Sequence, residues 1–301
     1  MQRKLRLVRV FPILPRIFSF VMPKLLDFSD YPFQKGVINK LNNEMQINKF
    51  YFLYQSEVDI WNNSLCELIF PNKLIDYQLE RIGGDYDGGY WIPPRFTKNF
   101  KWITIGLGYN WRFEEELIIR NCEVISFDHT LTTRPRKLPK KINWVKIGLA
   151  PKNDSSNMLQ SIKGILDIAS IKDDSEYCLK IDIEGAEWDL LDQIVNLENP
   201  PKVLALELHN LLWRPSYEIN RQILSQIEKI KLKYTPISLK GNNYSPYFIS
   251  KKVGLYDCME VTFVLNEIVN DFVYISDLDR DKKIDYPNNP RDYNYPIFFN
   301  S

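Results

Sequence analysis

The chain has 301 residues, of which 45% are hydrophobic and 26% are charged, and these fractions are those of an ordered globular protein. Its 39 basic and 38 acidic side chains leave a net charge of +1, which excludes the strongly basic balance of most nucleic-acid-binding domains. The four cysteines form no C-x-x-C pair, so the sequence predicts neither a disulfide framework nor a zinc site and favours a reducing, cytoplasmic compartment. We therefore expect a small-molecule or glycan ligand and no nucleic-acid partner.

Residues 1–27 combine basic side chains with an apolar stretch that begins at Val10. Pro12, Pro15 and Arg16 interrupt this stretch and no small-residue cleavage site follows, so the pattern does not predict a secretory signal. No run of about 18 apolar residues occurs in the chain, and no transmembrane helix is predicted. We interpret the segment as an arm that packs on its own domain or on a partner subunit. Peripheral contact with an anionic membrane surface is the alternative.

After residue 100, short apolar runs alternate with amphipathic stretches of helical periodicity. The predicted strands are Trp102–Leu107, Val124–Phe127, Trp144–Leu149, Tyr177–Ile183 and Val203–Leu208, and the predicted helices are Phe113–Arg120, Leu159–Ala169, Trp188–Leu197 and Ile219–Leu232. This alternation predicts an α/β fold whose parallel sheet is covered by helices on both faces.

The last two predicted strands, Pro236–Leu239 and Met259–Leu265, have only a loop, Lys240–Asp257, between them. They predict an antiparallel pair that closes the edge of the sheet, so that one edge strand is antiparallel. The sequence thus divides into a helical or irregular extension (residues 1–75, with a helix at Val58–Leu68), a Rossmann-like domain (residues 76–270) and a tail packed on that domain (residues 271–301).

The turn Gly106-Leu107-Gly108 follows the first strand of this domain directly. Glycines at such a place let the backbone approach a ligand, and the next helix offers free N–H groups. Asp128 ends the second strand about 20 residues later, where a carboxylate can accept the two hydroxyls of a ribose. We interpret these residues as a cofactor loop, and His129 as a residue that borders the cofactor. A tight turn and a solvated aspartate are the purely structural alternatives.

The segment Lys180 to Glu187 carries four charged residues at the end of a predicted central strand. Since side chains alternate along a strand, Lys180, Asp182 and Glu184 are expected on one face. Charged groups there are costly to bury unless they lie at the carboxyl end of the strand, where the ligand crevice of an α/β sheet opens. This segment is the most informative site in the sequence.

Glu207 and His209 end the next strand and share a face. The chain has only two histidines, and His209 is predicted at the same end of the sheet as Asp182. We interpret His209 as a candidate general base, with Glu207 as a carboxylate that could hold the imidazole. A structural histidine is the alternative.

Two loops complete the candidate site. The stretch from Arg81 to Tyr90 is too rich in glycine for a regular element, and its alternation of glycine, carboxylate and tyrosine favours a loop folded over a ligand. The turn from Gly241 to Tyr244 offers amide groups that could bind hydroxyls. A plain linker and an asparagine-rich turn are the alternatives.

These motifs together resemble the FkbM-like family of S-adenosylmethionine-dependent methyltransferases over roughly residues 75–265. The resemblance implies a seven-stranded Rossmann-like sheet and O-methylation of a sugar or glycoconjugate hydroxyl. It implies cofactor contacts at Asp87, Gly88, Gly89, Tyr90, Gly106, Leu107, Gly108, Asp128, His129 and Asp182, and acceptor contacts at Glu184, Lys240, Asn242 and Asn243. Two positions differ from the family's pattern, because Thr104 and Ile105 precede the glycine turn in place of an acidic residue and Lys240 stands where a histidine is frequent.

The sequence therefore predicts transfer of the methyl group of S-adenosylmethionine to a saccharide hydroxyl, with His209, Glu207 and Asp182 as the catalytic group and no metal. A divalent-metal site ranks below direct base catalysis, since the ligand spacing is not tight. Two alternatives stay open. One is a non-catalytic cofactor- or glycan-binding module. The other is an NAD-dependent oxidoreductase, which would need a third glycine where Asn110 stands.

Overall fold

The computed structural model describes residues 61, 64–74, 79–211, 217–249, 253–269, 272–274, 287–291 and 297–299. The predicted arm at residues 1–27 lies outside the described residues, as does the start of the predicted helix Val58–Leu68, of which residues 61 and 64–69 are helical. Of the tail, residues 287–291 pack on the domain through Asn288, which is buried. Among the residues described, no helix has the length and apolar character needed to cross a membrane.

Besides the helical residues 61 and 64–69, the described residues form sixteen strands and four α-helices, together with short 3₁₀ turns at Pro94–Phe96, Glu187–Asp189 and Asn266–Ile268. The strands are β1 (Asn72–Leu74), β2 (Glu80–Ile82), β3 (Tyr90–Ile92), β4 (Lys101–Ile105), β5 (Glu123–Phe127), β6 (Asn143–Val145), β7 (Gly148–Leu149), β8 (Leu159–Gln160), β9 (Cys178–Ile181), β10 (Val203–Leu208), β11 (Tyr234–Gly241), β12 (Tyr247–Ile249), β13 (Val253–Tyr256), β14 (Met259–Leu265), β15 (Phe272–Tyr274) and β16 (Phe298–Phe299). The helices are α1 (Arg112–Ile119), α2 (Ile162–Ile168), α3 (Leu191–Val195) and α4 (Tyr217–Lys233).

The centre of the molecule is a seven-stranded sheet in the order β6-β5-β4-β9-β10-β14-β11. Neighbouring strands from β6 to β10 are parallel, which confirms the predicted α/β sheet. The predicted antiparallel pairing of the last two strands is also confirmed. The reversed strand, however, is β14, which lies between β10 and β11 and pairs antiparallel with both, so the expectation of an antiparallel edge strand is wrong.

Hydrophobic side chains pack on both faces of this sheet. Along β4, Trp102 belongs to one buried cluster, whereas Ile103 and Ile105 belong to a second. Along β10, Val203 and Leu204 divide between the two clusters in the same way. This alternation is why nearly continuous apolar runs form the central strands, since a parallel sheet is buried on both faces.

Several predicted elements differ from the structure. The predicted helix Leu159–Ala169 begins only at Ile162, because Leu159 and Gln160 form β8. The predicted loop Lys240–Asp257 contains β12 and β13, an antiparallel hairpin that also pairs with β16. The predicted strand Trp144–Leu149 is divided into β6 and β7, and β7 pairs with β8 instead of joining the central sheet. The predicted strand Tyr177–Ile183 ends earlier, at Ile181. These short pairings depend on contacts between distant segments, which a local pattern does not contain.

The direction in which successive strands are added to the sheet reverses between β4 and β9. The chain runs from β4 through β5 to β6 on one side, and continues from β9 to β10 on the other. In open α/β sheets, the crevice outside the carboxyl ends of the strands at such a switch point is where ligands bind. The residues that follow β4, β5, β9 and β10 are therefore the candidate site.

Candidate active site

The glycine turn lies directly against the residue that follows β9. Gly106 has φ +86°, and a Cβ there would be 1.7 Å from the carbonyl oxygen of Asp182. The amide of Asp182 in turn donates to the carbonyl oxygen of Ile105 at 3.0 Å. Only glycine allows this approach, so the turn joins the ends of the two strands at the switch point.

Asp128 is bound to the glycine turn. Its carboxylate accepts the Gly108 amide at 2.8 Å, and it accepts the Thr130 amide at 2.8 Å and the Thr130 hydroxyl at 2.6 Å. Burial acts to raise the pKa of this carboxyl, but the hydrogen bonds from Thr130 and Gly108 outweigh it and the pKa is lowered. The group is therefore an anion, ready to accept hydrogen bonds. A Cβ at Gly108 would meet no atom within 4 Å, so there is open space beside it.

Leu107 precedes Gly108 and His129 follows Asp128, and these two residues have different surroundings. The Leu107 side chain is buried in the core, so only its backbone can face a ligand. His129 is exposed, and its ring lies over Gly148, where a Cβ would be 2.3 Å from Nδ1. His129 therefore lies at the carboxyl edge of the sheet, as expected of a residue bordering a cofactor.

The glycine-rich segment from Arg81 to Tyr90 is the tip of a hairpin, so the prediction that it contains no regular element is wrong at its two ends. Arg81 holds the tip from within, because its guanidinium donates to the carbonyl oxygens of Gly84 and Tyr86, both at 2.7 Å. Asn110 donates to the carbonyl oxygen of Asp87 at 2.7 Å. This tip, which contains Gly88 and Gly89, thus adjoins the glycine turn after β4.

The hydroxyl of Tyr90 is buried with no hydrogen-bond partner among the described residues. The ring is 1% exposed and packs edge-on against Phe113, with centroids 5.5 Å apart. Burial raises the pKa of this phenol, and the charges of Asp182, Glu207 and Glu260 raise it further. A neutral O–H donor therefore lies among carboxylates without a partner, and such a buried group is unusual unless a ligand completes it.

Lys180 and Asp182 lie on the same side of the sheet, as predicted, with Nζ 4.0 Å from Oδ2. The ammonium is also 3.8 Å from Oε1 of Glu114, a buried side chain of α1. Burial acts to lower the pKa of Lys180, but the charges of Glu114 and Asp182 outweigh it and the pKa is raised. Lys180 is therefore a fixed cation and not a base.

Glu184 does not continue the face of Lys180 and Asp182. The strand ends at Ile181, and Glu184 has φ +58° in the turn that follows. Its side chain is 88% exposed, because the strand ends before Glu184 and the alternation of side chains along it does not reach this residue. Its carboxylate nevertheless comes within 3.6 Å of Nε2 of His209.

His209 lies between two carboxylates. Its Nδ1 is 3.1 Å from Oε1 of Glu187, a side chain with no exposed surface. The same Glu187 oxygen accepts the amides of Ile183 at 3.1 Å and Gly185 at 3.2 Å, which fixes its position. The expectation that Glu207 would hold the imidazole is therefore wrong, because the turn after β9 brings Glu187 into that place.

The charge of His209 follows from these contacts. Burial acts to lower the pKa of the imidazole, but the hydrogen bond and charge of Glu187, with the charges of Glu207 and Asp182, raise it to about 9. The imidazole is consequently protonated at neutral pH. It can accept a proton only in the fraction of molecules that have lost one, and this fraction grows as the pH rises.

Glu207 belongs to the same cluster but binds other partners. It accepts the side-chain amide of Asn242 at 2.7 Å and the thiol of Cys258 at 3.0 Å. Burial raises the pKa of Glu207 well above its usual range, and the nearby charges of Asp182 and Glu260 add to the effect. This carboxyl group therefore favours its protonated form.

The three residues expected to bind the acceptor at the end of β11 are buried against the protein. Lys240 is 3.2 Å from Oε2 of Glu260 and also binds Asn288. Asn243 donates its side-chain amide to the carbonyl oxygen of Asn289 at 3.0 Å, and Asn242 binds Glu207. These amide groups are bound within the protein, since β11 continues to Gly241 and Asn289 of the tail exchanges hydrogen bonds with Asn243.

Asn288 joins three parts of the site. Its amide donates to Glu260 at 2.6 Å and to the carboxylate of Asp87 at 3.0 Å, while its carbonyl oxygen binds Lys240. The tail thereby connects the central sheet to the tip of the glycine-rich hairpin.

Some of these side chains have the spacing of metal ligands. Donor atoms of Asp182, Glu184 and His209 lie within 4.8 Å of one another. Carboxylate and imidazole donors suit a divalent transition metal. In this arrangement, however, both imidazole nitrogens face carboxylates and the ring is protonated, so a metal would have to displace a proton first.

Sequence reasoning missed four residues of the cluster: Glu114, Glu187, Glu260 and Asn288. Glu260 had a signal, because it is an acidic residue in the otherwise apolar strand β14. Glu187 belongs to the charged segment from Lys180 to Glu187, but the sequence pattern predicted no role for it. Glu114 and Asn288 had no signal, since each is recruited from a distant part of the chain.

The fold and the site together define an α/β protein with a cluster of buried charged and polar side chains at the switch point of a seven-stranded sheet. No family model matches the sequence, and no curated protein matches it. What can be said of function therefore rests on the residues and the geometry of the chain itself.

Proposed function

We propose that the protein is an S-adenosylmethionine-dependent methyltransferase that methylates a hydroxyl of a saccharide or glycoconjugate. The observation that carries the proposal is the position of β14. Dinucleotide-binding sheets have six strands in the order 3-2-1-4-5-6. Here the same order has a reversed strand inserted between its fifth and sixth members, which favours a methyltransferase-type sheet over a dinucleotide-binding one.

The residues present fit the cofactor at two places. Open space beside Gly108 and the anionic Asp128 next to it would hold the ribose and the amino-acid part. The unpartnered hydroxyl of Tyr90 could donate a hydrogen bond to the cofactor. The hairpin tip at Asp87 adjoins the glycine turn and would cover a ligand bound there.

The chemistry requires alignment and removal of one proton. When bound, S-adenosylmethionine would supply an electrophilic methyl group to the acceptor oxygen, with a neutral thioether as the leaving group. The neutral form of His209 takes the hydroxyl proton at Nε2, and the resulting imidazolium is stabilised by Glu187 through Nδ1. Asp182 is the residue best placed to orient the acceptor or the ammonium group.

Calorimetric titration of the purified chain with S-adenosylmethionine, S-adenosylhomocysteine and NAD tests the cofactor. We expect binding of the first two and weak or no binding of NAD. Comparable affinity for NAD would contradict the proposal. Release of S-adenosylhomocysteine in the presence of saccharide acceptors then separates an enzyme from a binding module, which would bind the cofactor and release nothing.

A further inference from the structure

Residues 129–153, the basic segment, have a charge unlike that of the rest of the chain. They contain no acidic residue, although the whole protein is almost neutral. Their basic residues are Arg134, Arg136, Lys137, Lys140, Lys141, Lys146 and Lys152. A cluster of one sign within a neutral chain points to a partner of the opposite sign.

The fold places this charge on the outside. The segment leaves β5 beside Asp128 and crosses back to form β6, the last strand of the central sheet. Leu131, Leu138 and Ile142 are buried and anchor the crossover to the domain. Between these anchors, Arg136, Lys137, Lys140 and Lys141 are exposed.

These cations are not neutralised within the part of the chain that the structure describes. No ion pair there joins any of the seven basic residues to a carboxylate. Arg134 donates to the carbonyl oxygen of Pro139 at 2.8 Å, and Lys146 donates to that of Thr132 at 3.2 Å. These two bonds order the backbone and leave the other cations directed to solvent.

We propose that the basic segment is a docking surface for the phosphoryl groups of anionic lipid headgroups. Its cations are exposed and follow a crossover from one end of the sheet to the other, so they suit an extended anionic surface better than one small phosphate. Nucleic acid fits less well, because single strands need stacking platforms and the only aromatic ring besides His129 is the half-buried Trp144. This inference is independent of the methyltransferase proposal. Since the segment begins directly after Asp128, a docked membrane would lie near the candidate site.

Co-sedimentation of the full chain with vesicles tests the proposal. One vesicle type is pure phosphatidylcholine, and the other is phosphatidylcholine mixed with an equal amount of phosphatidylglycerol. Arg136, Lys137, Lys140 and Lys141 are replaced together by glutamine in one variant. A matched control replaces four exposed cations elsewhere: Lys98, Lys163, Lys172 and Arg221.

We expect the protein to bind the anionic vesicles only. The basic-segment variant should lose on the order of 1,000-fold in partitioning, because each of its four basic residues contributes about fivefold near an anionic surface. The control variant should lose far less, because its four cations lie elsewhere on the protein. Raising the ionic strength to about 1 M, where the Debye length is about 3 Å, should release the wild type. Circular dichroism melts should be alike for all three proteins.

Three outcomes would overturn the proposal. Equal partitioning of the basic-segment and control variants would show that another part of the chain, such as residues 1–27, binds the membrane. Displacement of the protein from vesicles by inorganic phosphate at matched ionic strength would indicate a small-phosphate site. Retention of a single-stranded RNA oligonucleotide without vesicle binding would indicate a nucleic-acid surface.

Discussion

The imidazole of His209 donates through Nδ1 to Oε1 of Glu187 at 3.1 Å, and that oxygen also accepts two backbone amides from the turn after β9. The carboxylate is buried, so it holds the ring in one orientation with Nε2 directed away from it. A carboxylate that orients an imidazole is a recurring arrangement in general base catalysis. The pair therefore connects the charged segment after β9 with the end of β10.

Replacement of His209 by alanine should lower turnover about 10²–10⁴-fold, which is the usual contribution of a general base, while the affinity for S-adenosylmethionine stays nearly unchanged. Steady-state kinetics and calorimetry measure the two effects separately. Leu232→Ala, an exposed position on α4, is the control and should behave as the wild type. Full turnover in the His209 variant would exclude it as the base.

The activity should rise with pH through about 9, because the pKa of His209 is raised to about 9 and only the neutral ring accepts a proton. Glu187→Gln keeps the shape of the side chain but removes the charge that holds the proton on the imidazole. The midpoint of kcat/KM against pH should therefore move to lower pH in this variant. A change in rate with an unmoved midpoint would mean that Glu187 has only a structural role.

The same shift affects stability. The folded-state pKa of His209, about 9, lies above the ordinary value of 6.5, so the stabilisation is fully present below pH 6.5 and is lost as the pH rises through about 9. The free energy of unfolding should fall across that window by at most about 3 kcal/mol more in the wild type than in His209→Gln. Urea titrations at a series of pH values measure it. Parallel pH curves for the two proteins would contradict the raised pKa.

Asp128→Ala should weaken binding of S-adenosylmethionine by about 1.5–3 kcal/mol, because charge-assisted bonds to the ribose are lost. Asp154 offers a matched control, since it also accepts a backbone amide and a hydroxyl two residues ahead, at 3.0 and 2.6 Å, but its carboxylate binds Ser156 and Asn157 instead of the glycine turn. Calorimetry of both variants should show a loss in Asp128→Ala alone. Equal affinities would reject the ribose assignment.

Chelation tests the three donor atoms of Asp182, Glu184 and His209 that lie within 4.8 Å of one another. EDTA should leave turnover unchanged, since the protonated imidazole opposes a cation at that place. A loss of turnover that Mg²⁺ or Mn²⁺ restores would instead assign these side chains as metal ligands and remove His209 from the role of base.

Local patterns predicted much of this protein. The apolar runs at β4, β5 and β10 and the long periodic helix α4 are each defined by neighbours in sequence, and the structure has them within a few residues. The glycine turn and Asp128 were predicted for the same reason, because residues that end successive parallel strands meet at one edge of the sheet.

The sequence by itself thus determined the class of fold, the end of the sheet at which charged residues collect, and the residues that could carry chemistry. Only the tertiary structure decided which charged groups pair: Glu187 and not Glu207 holds His209, and Lys240 is buried with Glu260. It also decided that β14 enters between β10 and β11. The physical reason is that local periodicity depends on neighbours along the chain, whereas the energy of a buried charge depends on the partner that the fold brings to it.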